Sequence, residues 1–152
     1  YSSKSNSMIL KLVNYIDRHK IKRVYFFSMH VPEVLSVSMS NADYVGSFTA
    51  HFLVSFIVRE HYYKHKTKPA NFDKKLSFAK KYYVSTVVNT FITKKPDAVF
   101  VFNASKSDPA TKPYGFNFLN FFERYPRFSA IWKNYHYVGR FAYADVYRLN
   151  GK

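Results

Sequence analysis

The chain has 152 residues, with 24 Lys and Arg against nine Asp and Glu, a formal charge of +15 and no cysteine. No disulfide, thiolate metal centre or cysteine nucleophile is therefore possible, and four glycines in none of the fixed spacings exclude a glycine-rich phosphate loop. A content of 47% hydrophobic and 20% aromatic residues excludes a disordered chain and predicts one domain, 1–152, with a substantial core.

Tyr1–Ser7 lacks the apolar core of a secretory signal and reads as a disordered tether or a remnant. A first residue other than Met reads as a processed product or an excised domain. From Met8 to His19, apolar residues recur at helical spacing (Ile9, Leu12, Val13, Ile16), with Ser7 as the expected N-cap. Arg23–Ser28 is a short β-branched and aromatic run, the pattern of a buried strand. Pro32 breaks it, and the alternation over Val34–Met39 predicts a second strand.

Asn41–Asp43 offers a cap for a helix over Tyr44–Tyr62. Its interior, Phe48–Val58, is apolar on nearly every side and too short to span a bilayer, so it is expected to be buried against the sheet. Lys64–Lys75 is a basic, proline-containing stretch. A helix opening at Phe72 or Asp73 runs to Lys94, with Leu76, Ala79, Tyr83, Val87 and Phe91 on one face and Pro96 beyond its end. Asp97–Asn103 reads as the second buried strand, and Ala104–Gly115 as a polar loop. Pro126 divides the next segment into helices over Phe116–Arg124 and Pro126–Lys133, because a proline inside a helix removes a hydrogen bond and clashes with the preceding turn. Tyr135–Arg140 and Tyr143–Leu149 close the chain as an antiparallel pair turning near Phe141–Ala142.

Helical patterns between buried strands imply crossover connections. The expected fold is a single three-layer α/β domain: a mixed sheet flanked by helices, with a closing C-terminal antiparallel hairpin. No run reaches 18 apolar residues, so no spanning helix is expected.

In such a sheet, ligands favour the crevice beyond the carboxyl ends of the strands. Candidate binding residues there are His30 and Glu33 after the first strand, and Asn103, Lys106, Asp108 and Tyr114 after the Asp97–Asn103 strand. His30 and Glu33 have the chemistry of a proton-transfer pair. His61 and His65 stand four apart, a spacing that suits a metal on a helix, but no Glu stands between them to act as a general base and they border a lysine-rich stretch. His51, in the middle of the expected helix, reads as a hydrogen-bonded core residue or a subunit contact. No metal, no cofactor and no catalytic residue is assigned.

The basic surface comprises Lys64, Lys66, Lys68, Lys74, Lys75, Lys80 and Lys81, interleaved with Tyr62, Tyr63, Phe72 and Phe78. Lysines among aromatic rings suit a single-stranded nucleic-acid groove, where bases stack while ammonium groups neutralise phosphates. The same residues suit an anionic bilayer, and a solvated charged face is the plain alternative. No Gly-x-Ser-x-Gly, Walker-loop or dinucleotide fingerprint is present, and no ribonucleoprotein sheet motif.

Four segments carry a family resemblance: Ile9–Phe27 (ILKLVNYIDRHKIKRVYFF), Asn41–Phe48 (NADYVGSF), Lys94–Ala104 (KKPDAVFVFNA) and Phe116–Leu149 (FNFLNFFERYPRFSAIWKNYHYVGRFAYADVYRL). In this order they resemble the soluble C-terminal extracytoplasmic domain that follows the transmembrane helices in certain bacterial polytopic membrane proteins. Those proteins are related to the membrane glycosyltransferases that use polyprenyl-phosphate sugars, the dolichyl-phosphate-mannose mannosyltransferase-like group. The resemblance implies a periplasmic domain beside a membrane, with an anionic membrane surface and the transmembrane part of its own parent chain as partners. The family's catalytic carboxylates lie near the first membrane helices, and no position here corresponds to them. The expected function is non-catalytic: acceptor positioning, partner contact or folding in a glycosyltransferase-like protein, with no specific nucleic acid as partner. The alternatives are a free-standing basic α/β protein that binds nucleic acid, and a small hydrolase or transferase using the His30/Glu33 crevice.

Overall fold

The computed structural model of the chain describes residues 3–48 and 50–152. Tyr1 and Ser2 of the expected tether lie outside these residues. From Ser3 the chain is already helical: α1 spans Ser3–Arg18, so Ser7 sits inside the helix rather than capping it. Ile9, Leu12 and Ile16 form its buried stripe, and the polar first turns extend the same helix past the point where apolar contact begins.

β1 (Arg23–Phe27) is followed by α2 (Pro32–Ser38), which corrects the expected strand over Val34–Met39. Pro32 starts this helix instead of ending a strand, because its missing N–H and fixed φ suit the first helical position. Glu33, Val34, Ser36 and Val37 are buried while Leu35 and Ser38 are exposed, a helical and not an alternating pattern.

The second correction concerns the expected Tyr44–Tyr62 helix. Asp43–Tyr44 forms β2, parallel to β1, with Asp43 N–H donating to the Lys22 carbonyl at 2.7 Å and Val45 N–H to the Val24 carbonyl at 3.0 Å. Helix begins only after His51, whose N–H donates to Ser28 O at 2.9 Å, and it comes in two pieces, α3 (Leu53–Ile57) and α4 (Arg59–Tyr62). Asp43 and Tyr44 are extended along β1, so no helix opens there. Val54, Ile57 and Val58 are buried, whereas Phe52 points outward.

α5 (Phe72–Lys94) buries Leu76, Ala79, Tyr83, Val87 and Phe91, the stripe its sequence predicts. The left-handed Lys95 and then Pro96 end it, and β3 (Ala98–Val101) follows with every residue buried. α6 (Phe118–Phe122) and α7 (Pro126–Trp132) are separate helices divided before Pro126. β4 (Tyr135–Phe141) and β5 (Ala144–Leu149) form the closing hairpin, whose two-residue turn is Ala142–Tyr143, one residue later than expected.

The sheet order is β2-β1-β3-β5-β4, parallel from β2 to β3 and antiparallel from β3 to β4. Alternation sends Val24, Phe26, Ala98, Phe100 and Val146 toward α1 and α2. Tyr25, Phe27, Val99 and Val101 face the opposite layer, built on α5 with α3, α6 and α7. The result is a three-layer α/β fold with a mixed sheet and a C-terminal antiparallel hairpin. Among the described residues, no helix is long and apolar enough to cross a membrane.

Candidate functional site

The parallel pairing of Phe27 with Val101 brings the carboxyl ends of β1 and β3 side by side. The loops leaving them meet through His30 and Asp108, with Nε2 and Oδ2 3.1 Å apart. The other carboxylate oxygen of Asp108 accepts the Ala110 N–H at 2.9 Å, so one side chain fixes its own loop and reaches across to the next. Glu33 lies buried in the first turn of α2. Burial pushes its carboxyl pKa up, against the opposing pull of its own backbone N–H, of His30 and of the Ser28 hydroxyl. Its Oε2 has no hydrogen-bond partner among the described residues.

This crevice is poorly equipped for nucleophilic chemistry. The Ser28 hydroxyl donates to the His30 carbonyl (3.3 Å) and accepts the His30 N–H (3.0 Å), so its contacts with His30 are to the backbone and not to the imidazole. Asn103 is occupied structurally, its Oδ1 accepting the Phe118 N–H at 3.0 Å where α6 begins. Lys106 is exposed on the loop. Tyr114 belongs elsewhere. Of the six residues expected to share the crevice, the structure joins His30 with Asp108, sets Glu33 beneath them, and assigns Asn103 and Tyr114 to other tasks.

Tyr114 leads to a second site on the α5 side of the sheet. Its ring packs on His61 (centroids 5.3 Å apart), and both line a 260 Å³ cleft between α4, α5 and α6. Lys80, Asn117, Asn120 and Arg124 also face this cleft. Gly115 makes the close approach possible: its φ is +69°, and a Cβ there would sit 2.8 Å from the Ala104 carbonyl oxygen. Two further clefts adjoin, one sharing Lys80 and Tyr125 (390 Å³) and one sharing Val58 and Tyr114 (430 Å³). Together the three present Arg59, Lys80, Lys81, Lys112, Arg124 and Arg127 against a single carboxylate, Glu60. Such a groove attracts anions.

The expected basic surface divides accordingly. Lys68 pairs with Asp73 at 3.0 Å, Lys66 sits 3.9 Å above the Tyr62 ring, and Lys80 pairs with Glu60 at 2.7 Å within the cleft. Lys64 is exposed in the turn after α4, while Lys74, Lys75 and Lys81 are exposed on α5. His61 ends up at the end of α4 and His65 in the turn beyond, so the two do not share a helix face. No group of three or more His, Asp or Glu suited to a metal occurs among the described residues. His51 is not in a helix: it lies buried before α3, bonded to Tyr83 and to the Phe26 carbonyl.

Arg124, Asn117, Asn120 and Tyr125 were not foreseen as site residues. Their signal is present in the Asn117–Arg127 run, where polar and cationic side chains interrupt a series of aromatic residues. The chain matches no family model, no curated protein and no solved structure.

Proposed function

We propose that the chain is a non-catalytic extracytoplasmic domain of a membrane glycosyltransferase-like protein, working against an anionic bilayer and positioning an acceptor there. The observation that carries the membrane half of this reading is the outer face of α5. Phe78 is 72% exposed and Tyr82 51% exposed, stacked on one another at 6.4 Å with their planes 10° apart. Lys74, Lys75 and Lys81 stand three or four residues from Phe78 and so surround the ring pair on the same face. Aromatic rings at the headgroup level ringed by lysines fit an anionic interface, where each lysine contributes about 1 kcal/mol near the surface. The resemblance of the closing helices and hairpin to the extracytoplasmic domains supports the glycosyltransferase half, and a periplasmic location follows from it. Lys81 belongs both to this face and to the cationic groove, so an acceptor in the groove would lie beside the bilayer.

The nucleic-acid alternative asks for open ring faces. Here Lys66 covers one side of Tyr62, Tyr63 packs edge-on against Tyr62 and Phe72, and His61 covers one side of Tyr114. The rings of that stretch are thus partly covered, while Phe78 and Tyr82 on α5 stay exposed.

The test is flotation with vesicles of neutral and of anionic phospholipid across a salt series, beside titration with a short single-stranded DNA. Binding to anionic vesicles alone, weakened by salt and lost in a Phe78→Ser/Tyr82→Ser double variant, supports the proposal. Single-strand binding that persists near roughly 0.3 M salt, where surface attraction is largely screened, and that collapses in Tyr62→Ala and Tyr63→Ala variants overturns it.

A further inference from the structure

We infer that the cleft between α4, α5 and α6 binds a single acidic sugar unit, one carrying a carboxylate, through Arg124, the amides of Asn117 and Asn120, and the Tyr114 ring. The inference names the class of acceptor for the function proposed above and rests on that reading only for its biological setting.

Size comes first. At 260 Å³ the cleft has room for one pyranose ring, and any further units of a chain would enter the adjoining clefts. Val58, Phe116, Phe121 and the Tyr114 ring supply apolar surface among its polar groups. A sugar presents C–H groups on its ring faces and hydroxyls around its rim, and this combination matches an aromatic wall edged by polar groups. The hydroxyls are donors and acceptors at once, as are carboxamides. Asn117 accepts the Asn120 N–H at 2.9 Å through Oδ1, which fixes that side chain and leaves its NH2 to donate. Asn120 retains both ends of its amide.

Charge then selects the substituent. Within the cleft Lys80 is neutralised by Glu60 at 2.7 Å, whereas Arg124 has no ion-pair partner among the described residues. One uncompensated guanidinium remains. Its planar fork matches one carboxylate in bidentate fashion, and with Lys80 paired to Glu60 no other unpaired Lys or Arg among the described residues lines this cleft, which suits a monoanionic uronate.

The experiment follows amide chemical shifts of the whole chain on titration with methyl glucuronide, methyl glucoside and glucose 6-phosphate, in the parent and in Arg124→Gln. Arg124 is exposed in the turn between α6 and α7, so its replacement leaves folding intact. The uronide is expected to bind at least tenfold more tightly than the neutral glucoside in the parent, with shifts at Asn117, Asn120 and Tyr114. In Arg124→Gln this preference is expected to fall below about threefold. Equal affinity for the two glycosides, no saturable binding of the uronide, a preference retained in Arg124→Gln, or tighter binding of glucose 6-phosphate each overturns the inference. Failure here with anionic-vesicle binding intact removes the acidic-sugar site alone. Loss of vesicle binding with uronide binding intact removes the membrane reading alone.

Discussion

His51 and Phe26 are joined by a hydrogen bond of 2.9 Å between the imidazole Nε2 and the backbone carbonyl of the central strand β1. A carbonyl oxygen can only accept, so Nε2 carries the hydrogen and Nδ1 is left to accept from the Tyr83 hydroxyl. This neutral tautomer ties β1 to α5 through a residue that belongs to neither. Burial brings the His51 pKa down to about 3, with the Phe26 carbonyl pulling weakly the other way.

A pH dependence of stability follows. Between about pH 6.5 and pH 3 the unfolded chain protonates His51 while the folded chain does not, so this residue's contribution is complete above pH 6.5 and declines as pH falls through that window. At pH 5 the loss is about 2 kcal/mol, at about 1.4 kcal/mol per pH unit. Urea titration at pH 7.5 and pH 5 is expected to show that extra loss in the parent but not in His51→Gln, whose amide offers a donor and an acceptor without titrating. Parallel curves for the two proteins would show that His51 is charged in the fold.

Phe100 lies at the centre of the sheet, fully buried between Phe26 (5.2 Å, edge-on) and Tyr15 of α1 (5.8 Å, edge-on). Phe100→Ala is expected to cost about 3–5 kcal/mol in denaturant titration, the range for a large aromatic removed from a packed interior. A loss under roughly 1 kcal/mol would place Phe100 outside the core.

Asp97 accepts the N–H groups of Lys22 (3.1 Å) and Arg23 (3.0 Å) at the entrance to β1, some 74 residues away in sequence. Its backbone serves the same junction, donating to the Arg23 carbonyl and accepting from Leu149 N–H, both at 3.0 Å. Asp97→Ala removes two acceptors and is expected to destabilise by about 1–3 kcal/mol, and Asp97→Asn, which keeps one carbonyl oxygen, by less. Equal effects of the two would show that the side-chain bonds are not what Asp97 contributes.

The hairpin turn offers the opposite sign. Ala142 and Tyr143 have φ of 49° and 67°, the left-handed pair that a two-residue turn requires and that asparagine and glycine adopt at lower cost. The double change Ala142→Asn/Tyr143→Gly is expected to raise the denaturation midpoint, by about 1–2 kcal/mol in stability. An unchanged or lower midpoint would show that Tyr143, although 80% exposed, contributes packing that outweighs its backbone cost.

The elements legible in the sequence were those with length or periodicity to spare. α5 carries a buried stripe over 23 residues, and β1 and β3 are short runs of apolar residues without interruption. Val34–Met39 failed because six residues of alternation overlap with less than two helical turns, and the deciding feature was the position of Pro32. The segment after Asp43 failed for a tertiary reason: its amides bond to β1, and no local pattern announces a partner 20 residues back. Site residues divided the same way. His30 and Asp108 met because parallel strands place their exits together, a consequence of topology. The cleft around Arg124 needed the packing of α6 beside α4 and α5, contacts between segments whose spacing along the chain carries no such information.

The position of β5 bears on how the protein is made. The last strand in sequence, β5, is fourth in the order β2-β1-β3-β5-β4, lying between β3 and β4. A nascent polypeptide that has emerged only as far as Trp132 can pair β1 with β3, but the far side of β3 then displays free amides and carbonyls from four buried-type residues, Ala98–Val101. An edge of that kind invites pairing with another chain. Synthesis interrupted before Ala144 therefore leaves a sticky edge, and the closing hairpin is the step that covers it.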